Sequence, residues 1–180
     1  MPEKIIATNE TIRNLVRDAI EKYGPDCDLN FIDVSQVTNM KELFAGSKFN
    51  GNISEWDVSH VTNMSHMFEY SEYDGDVSRW DVSNVTDMSF MFAKSQFNGD
   101  VSRWNVSNVE NMCCMFCISP FNGDVSLWDV SKVTDMGIMF ADTRFNGDVS
   151  RWNVSNVIRM SGIFERTPLE MECRLPFWYR

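Results

Sequence analysis

The sequence predicts an α/β solenoid of about six 24-residue coils, with parallel stacked short strands, short helical turns and an N-terminal capping helix. Three observations carry this expectation. Tryptophan recurs as Trp56, Trp80, Trp104, Trp128 and Trp152, and methionine as Met40, Met64, Met88, Met112, Met136 and Met160. The stretch Asp81–Trp104, DVSNVTDMSFMFAKSQFNGDVSRW, is one copy of a unit that runs without a gap from Asp33 to Trp152. Before that array the apolar period is 3.6, the signature of a helix.

The helix is expected from Thr8 to Tyr23. Ile12, Leu15, Val16, Ala19, Ile20 and Tyr23 form one apolar stripe, with Arg13, Arg17, Asp18, Glu21 and Lys22 opposite. Thr8 or Asn9 can cap its start, and Gly24-Pro25 stops it. The first coil of a stacked array has an open apolar end, and this helix supplies the cover. The expected divisions are residues 1–30 for this cap, 31–166 for the repeats and 167–180 for a C-terminal cap, all in one structural domain.

Each repeat has three parts. Asp81-Val82-Ser83-Asn84-Val85 is an extended crossing with two inward valines. Thr86 to Phe92 reads as one or two helical turns, with Met88, Met91 and Phe92 inward and Asp87 as N-cap; Asn39, Asn63, Asn111 and Asp135 repeat that cap, and Arg159 breaks it. Phe97 to Trp104 opens on an Asn-Gly turn, where Gly permits positive φ, and continues into a strand centred on Val101. That strand is expected to pair in parallel with Ile53, Val77, Val125 and Val149, at a coil spacing of ~4.8 Å. Eight large apolar positions per coil (Val82, Val85, Met88, Met91, Phe92, Phe97, Val101 and Trp104 in this one) supply the core. After Thr167 the register is lost, and an aromatic tail with Phe177, Trp178 and Tyr179 is expected to cover the last coil.

Composition bounds what the array does. With 43% hydrophobic residues the chain is globular, and its formal charge of −10 argues against bare nucleic acid or an anionic membrane as ligand. It permits a basic protein partner. The N-terminus lacks the pattern of a secretory signal, so a cytoplasmic location is expected for the chain as given. Five cysteines, three of them crowded as Cys113, Cys114 and Cys117, form no disulfide framework and suit a reducing compartment.

Little in the repeat invites chemistry. The column Asn52, Asp76, Asp100, Asp124 and Asp148 offers one side chain per coil, too few oxygens for calcium, and is expected to form Asx turns. The cysteine cluster lacks the separated ligand pairs of a zinc site, and is read as small hydrophobes replacing Ser89, Phe90 and Ala93. His60 and His66 fall at variable positions of one repeat, and no repeat pairs its serines with a recurring His. No enzyme, cofactor or metal is therefore expected.

Binding residues are sought where repeats differ. Phe90, Cys114 and Ile138 are expected as an outward apolar column, with Ile118 and Tyr70 in another column close by. Beside the strand, Arg79, Arg103, Leu127 and Arg151 form a second variable column whose arginines pair with the acidic ladder or anchor a partner.

The string [DN]-V-S-x-V-T-[DN]-M-x-x-M-F followed by F-N-G-D-V-S-x-W resembles the short repeat of the BspA-like leucine-rich-repeat family of bacterial surface proteins, a domain of unknown function also found in mycoplasma lipoproteins. The likeness covers about residues 26–166, and the lead-in CDLNFIDVS resembles that family's too. It implies a leucine-rich-repeat-like solenoid and a protein-binding role, at a cell surface if a signal has been removed. It carries over no catalytic residues. The expected function is a non-enzymatic, monomeric scaffold for recognising a protein. The alternative is an acidic inhibitor or decoy, of phage-encoded type, blocking the basic nucleic-acid groove of a nuclease or similar enzyme.

Overall fold

Successive repeats lie side by side in parallel register. In the computed structural model, which describes residues 4–179, parallel bridges join Asn39 to Asn63, Asn63 to Asp87, Asp87 to Asn111, Asn111 to Asp135, and Asp135 to Arg159. Residues 1–3 of the expected N-terminal cap and Arg180 of the expected C-terminal cap lie outside the described part.

The hydrogen bonding explains why the helical turns expected at Thr86–Phe92 are absent. The amides of Met88, Phe90, Phe92 and Lys94 donate to Asn111, Cys113, Met115 and Cys117 of the next repeat at 2.8–3.0 Å. A helix would have directed those amides to carbonyls four residues back. Asp87 is accordingly no helix cap: its Oδ1 accepts from Ser89 N at 2.9 Å, as Asn63 Oδ1 does from Ser65 N. Between repeats the parallel pairing falls at this Asn/Asp column; at the position of the expected strand around Val101 a bridge forms only at the N-terminal end, between Asp28 and Asn52.

Each of the repeats from Asp33 to Trp152 turns three corners, and an Asx turn holds each one. In the third repeat these are Asp81 to Ser83, Asp87 to Ser89 and Asp100 to Ser102, with Oδ1···N distances of 3.0, 2.9 and 2.9 Å. The recurring serines and carboxylates thus satisfy corner backbone. This includes the column Asn52, Asp76, Asp100, Asp124 and Asp148, each of which accepts from the amide two residues on.

All eight apolar positions of the third repeat are buried, from 0% exposure at Val85, Met88, Met91, Phe92 and Phe97 to 4% at Trp104. Phe44, Phe68, Phe92, Phe116, Phe140 and Phe164 form one stack, with successive centroids 5.3–6.0 Å apart. The tryptophans lie in one row. Trp56, Trp80, Trp104, Trp128 and Trp152 each donate Nε1–H to the carbonyl 27 residues earlier, at 3.0–3.2 Å. A buried indole needs such a partner, and here the partner is the preceding repeat or, for Trp56, Leu29 in the lead-in to the first repeat.

The glycine of the Asn-Gly turn serves a different purpose from the one expected. Gly99 is not at positive φ. A Cβ there would come within 2.8 Å of the Phe97 ring, so the position must be bare for the ring to lie against the backbone.

At the N-terminal end, helix α1 spans Ile12–Tyr23 and buries Ile12, Val16 and Ala19. It starts later than expected, with Thr11 at the N-cap and no side-chain cap bond. Asn9 serves the first repeat instead: its Oδ1 accepts from the amides of Thr38 and Asn39 at 2.9 and 3.1 Å. Arg13 donates to the carbonyls of Lys41 and Glu42. Ahead of α1, strand β1 (Ile5–Ile6) pairs in parallel with β2 (Ile32–Asp33). At the other end, α2 (Pro168–Met171) is capped by Thr167, and Leu169 is buried. Trp178 then continues the indole row, donating to Val149 O at 3.0 Å.

Candidate functional site

Two positions per repeat hold ordinary residues in the left-handed region. Glu42, His66, Phe90, Cys114 and Ile138 form one such column, with φ between 50° and 59°. Tyr70, Lys94, Ile118, Asp142 and Arg166 form the other, with φ between 56° and 58°. Gly46 extends the second column and Gly162 the first, also at positive φ. These are the variable columns singled out above. The sequence shows their variability but not their backbone conformation. Non-glycine residues in this region cost about 1–2 kcal/mol each, and β-branched Ile118 and Ile138 fit it worst.

The two columns border a groove of about 330 Å³. Phe90 and Ile138 stand on its walls, Ala93, Cys114, Cys117 and Ala141 form its floor, and Ile118 lies at its side. Ile118 and Ile138 are 50% and 38% exposed. Phe90 is half-buried because its ring stacks on His66, with centroids 4.7 Å apart and planes 3° from parallel. Tyr70 is exposed and lies outside the groove lining, with the Lys94 ammonium 4.4 Å from its ring centroid. Charged groups rim the groove, among them the Asp142–Arg166 pair.

Cys114 departs from the expected outward column. It is only 3% exposed, because its side chain turns along the groove floor to form a disulfide with Cys117. Cys114 and Cys117 are therefore a bonded pair and not simply small hydrophobes in place of Phe90 and Ala93. Their spacing was visible in the sequence, but the turn that brings the first and fourth residues together was not. Cys27, Cys113 and Cys173 are free thiols, and burial pushes the thiols of Cys27 and Cys113 up from the usual range.

The arginine column is a separate surface. Arg79, Arg103 and Arg151 are exposed, Leu127 is 81% exposed, and none of the four lines the groove. Among the described residues none of these arginines makes an ion pair within 4.0 Å, so the expected pairing with the acidic ladder is not formed. Asp76, Asp100 and Asp148 nonetheless have carboxyls held below the usual range. The main cause is the Ser amide each accepts, and the neighbouring arginine adds to it.

The histidines do not meet. His66 Nδ1 lies 2.6 Å from Glu69 Oε2, while His60 Nδ1 lies 3.3 Å from the Ser59 hydroxyl. Among the described residues no group of three or more His, Cys, Asp or Glu side chains is placed to hold a metal ion. Nor is any helix there long and apolar enough to cross a membrane.

No curated protein matches the chain, and no solved structure does. One family model matches residues 12–119 and again 93–171, which together take in most of the repeats. On that match the chain belongs to the family described as "Mycoplasma protein of unknown function, DUF285".

Proposed function

We propose that this chain is a leucine-rich-repeat-like scaffold of the BspA type that recognises a protein and catalyses no reaction. The observation that carries the proposal is the placement of Ile118 and Ile138. Both are β-branched, both are held at positive φ, and both remain substantially exposed beside an apolar-floored groove. Strain of this kind persists where a side chain serves something other than folding. Exposed apolar surface with a charged rim is also how protein contact sites are commonly built. A parallel array of near-identical coils suits recognition, because the repeat holds the geometry while variable columns tune the contact.

The acidic-decoy alternative receives less support. Arg79, Arg103 and Arg151 stand three residues after Asp76, Asp100 and Asp148, so that face alternates in sign. A mimic of nucleic acid needs a continuous negative face.

The test is site-specific crosslinking. A photoreactive residue at position 118 is expected to capture a defined partner, and Phe90→Asp should abolish the adduct. Arg103→Glu, on the other surface, should leave it intact. An adduct insensitive to Phe90→Asp, or lost equally in both variants, would rule the groove out as the contact.

A further inference from the structure

We infer that Cys114 and Cys117 form a reversible dithiol–disulfide couple, a site of thiol–disulfide exchange with small thiols that enter the groove. The pair is Cys114-Met115-Phe116-Cys117, a C-x-x-C spacing in which both intervening residues are fully buried. Its proximity follows from the repeat. In every coil the fourth residue of this turn donates its amide to the first: Ala45 to Glu42, Glu69 to His66, Ala93 to Phe90, Cys117 to Cys114, Ala141 to Ile138 and Glu165 to Gly162, at 3.1–3.3 Å. The first and fourth side chains therefore meet. One repeat shows this without sulfur, in the contact of 2.6 Å between His66 Nδ1 and Glu69 Oε2.

The same comparison indicates that the bond can open without loss of fold. Phe90–Ala93 and Ile138–Ala141 occupy the identical turn on either side of the pair, with the same positive φ at the first residue and no covalent link. Four residues also enclose too short a loop for the crosslink to restrain the unfolded chain strongly. Access is from the groove, whose floor the pair forms between the small side chains of Ala93 and Ala141. Each cysteine is 3% exposed, so attack must come from a thiol that enters the groove. Burial raises the thiol of the adjacent Cys113 above its usual range, which disfavours the thiolate there.

The exchange balances in two steps. A small thiolate, RS⁻, attacks one cysteine sulfur. The S–S bond breaks, and its electron pair leaves on the other sulfur, which takes up a proton. A second RS⁻ then displaces the first cysteine from the mixed disulfide, releasing RSSR, and that cysteine also takes up a proton. Net, two RSH are oxidised to RSSR while the protein disulfide is reduced to two thiols, and the reverse uses RSSR as oxidant.

The experiment equilibrates the full chain in glutathione buffers of graded composition without oxygen, followed by acid quench, alkylation in denaturant and mass measurement. The three free thiols, Cys27, Cys113 and Cys173, are expected to rise to five as the buffer becomes reducing. The reduced-to-oxidised ratio should change about tenfold for each roughly tenfold change in [GSH]²/[GSSG]. Tryptophan fluorescence should be the same at both ends. Cys117→Ala, which installs the residue found at Ala93 and Ala141, should remove the step, as should Cys114→Ser; Cys113→Ser should leave it unchanged. Alkylation of all five thiols at the most oxidising composition, persistence of the step in Cys117→Ala, or a fluorescence change on reduction would each overturn the inference. None of these readouts depends on a protein partner, so the outcome is independent of the recognition role proposed above.

Discussion

Tyr73→Phe is expected to stabilise the protein. Tyr73 is fully buried where the neighbouring repeats carry Phe49 and Phe97, and its ring stacks on Phe68 at 4.4 Å. Its hydroxyl is buried and has no hydrogen-bond partner among the described residues. It lies against Gly75, where even a Cβ would come within 2.6 Å of the oxygen. An unsatisfied buried hydroxyl costs about 1–3 kcal/mol. The gap left by removing one oxygen, on the order of 10 Å³, returns only about 0.3 kcal/mol of that. The net gain should be about 1–3 kcal/mol, or roughly 2–12 °C in melting temperature for a chain of this size.

The assay is urea denaturation followed by tryptophan fluorescence, with m compared between variants so that a change in midpoint reports stability. The pH dependence gives a second readout. Burial pushes the Tyr73 hydroxyl well above the ordinary tyrosine range. Its contribution is therefore fully present below the unfolded value of about 10, and is lost as pH rises above that toward the folded value. The advantage of Tyr73→Phe should accordingly widen above about pH 10. A variant destabilised by about 1 kcal/mol or more would show that the hydroxyl has a partner and that the reasoning is wrong.

Three further outcomes are expected. Trp104→Phe removes the Nε1–H bond to Val77 O and strands that carbonyl between repeats, and should cost about 2–4 kcal/mol by the same denaturation assay. Gly99→Ala should cost about 1–3 kcal/mol through contact with the Phe97 ring, and the double change Gly99→Ala, Phe97→Leu should show strong coupling. Asp33, Asp57, Asp76, Asp100, Asp124, Asp129 and Asp148 all have lowered folded values, caused by hydrogen bonds from the Ser two residues on. Their contribution is present above the unfolded carboxylate value of about 4 and disappears as pH falls through the lower folded values. Replacing Asp76, Asp100 and Asp124 by Asn, the residue that makes the same turn at Asn52, should keep neutral-pH stability and flatten the acid limb of a thermal-melt series.

Much of the candidate surface was legible because variability at a fixed period is visible in one chain. Ile118, Ile138 and Phe90 were placed by that signal alone, and the structure brings them to one groove. Cys114 was misplaced because the repeat period says which residues stack on one another between coils. It does not say which side chains meet within a corner. The pairing of Cys114 with Cys117 depends on the left-handed φ of Cys114, and the other residues at that position, from Glu42 to Ile138, share no chemistry that announces such a conformation. The arginine column was read as variable from the sequence, whereas the exposure of Arg79, Arg103 and Arg151 and their lack of ion pairs among the described residues depend on side-chain reach.

The sequence by itself determined the period, the rows of Trp, Met and Phe, and the inward positions. Phe92 stacks on Phe68 and Phe116 one period away, and Trp104 bonds a carbonyl of the repeat before it, so repetition specifies which residues line up between repeats. Only the tertiary structure decided how each coil bends. The amides of Met88, Phe90 and Phe92 have carbonyl acceptors either four residues back or in the next coil, and local propensity does not distinguish the two. Once coils are packed against each other the second set is within 2.8–3.0 Å, so the expected helical turn opens into a corner whose donors point along the stack.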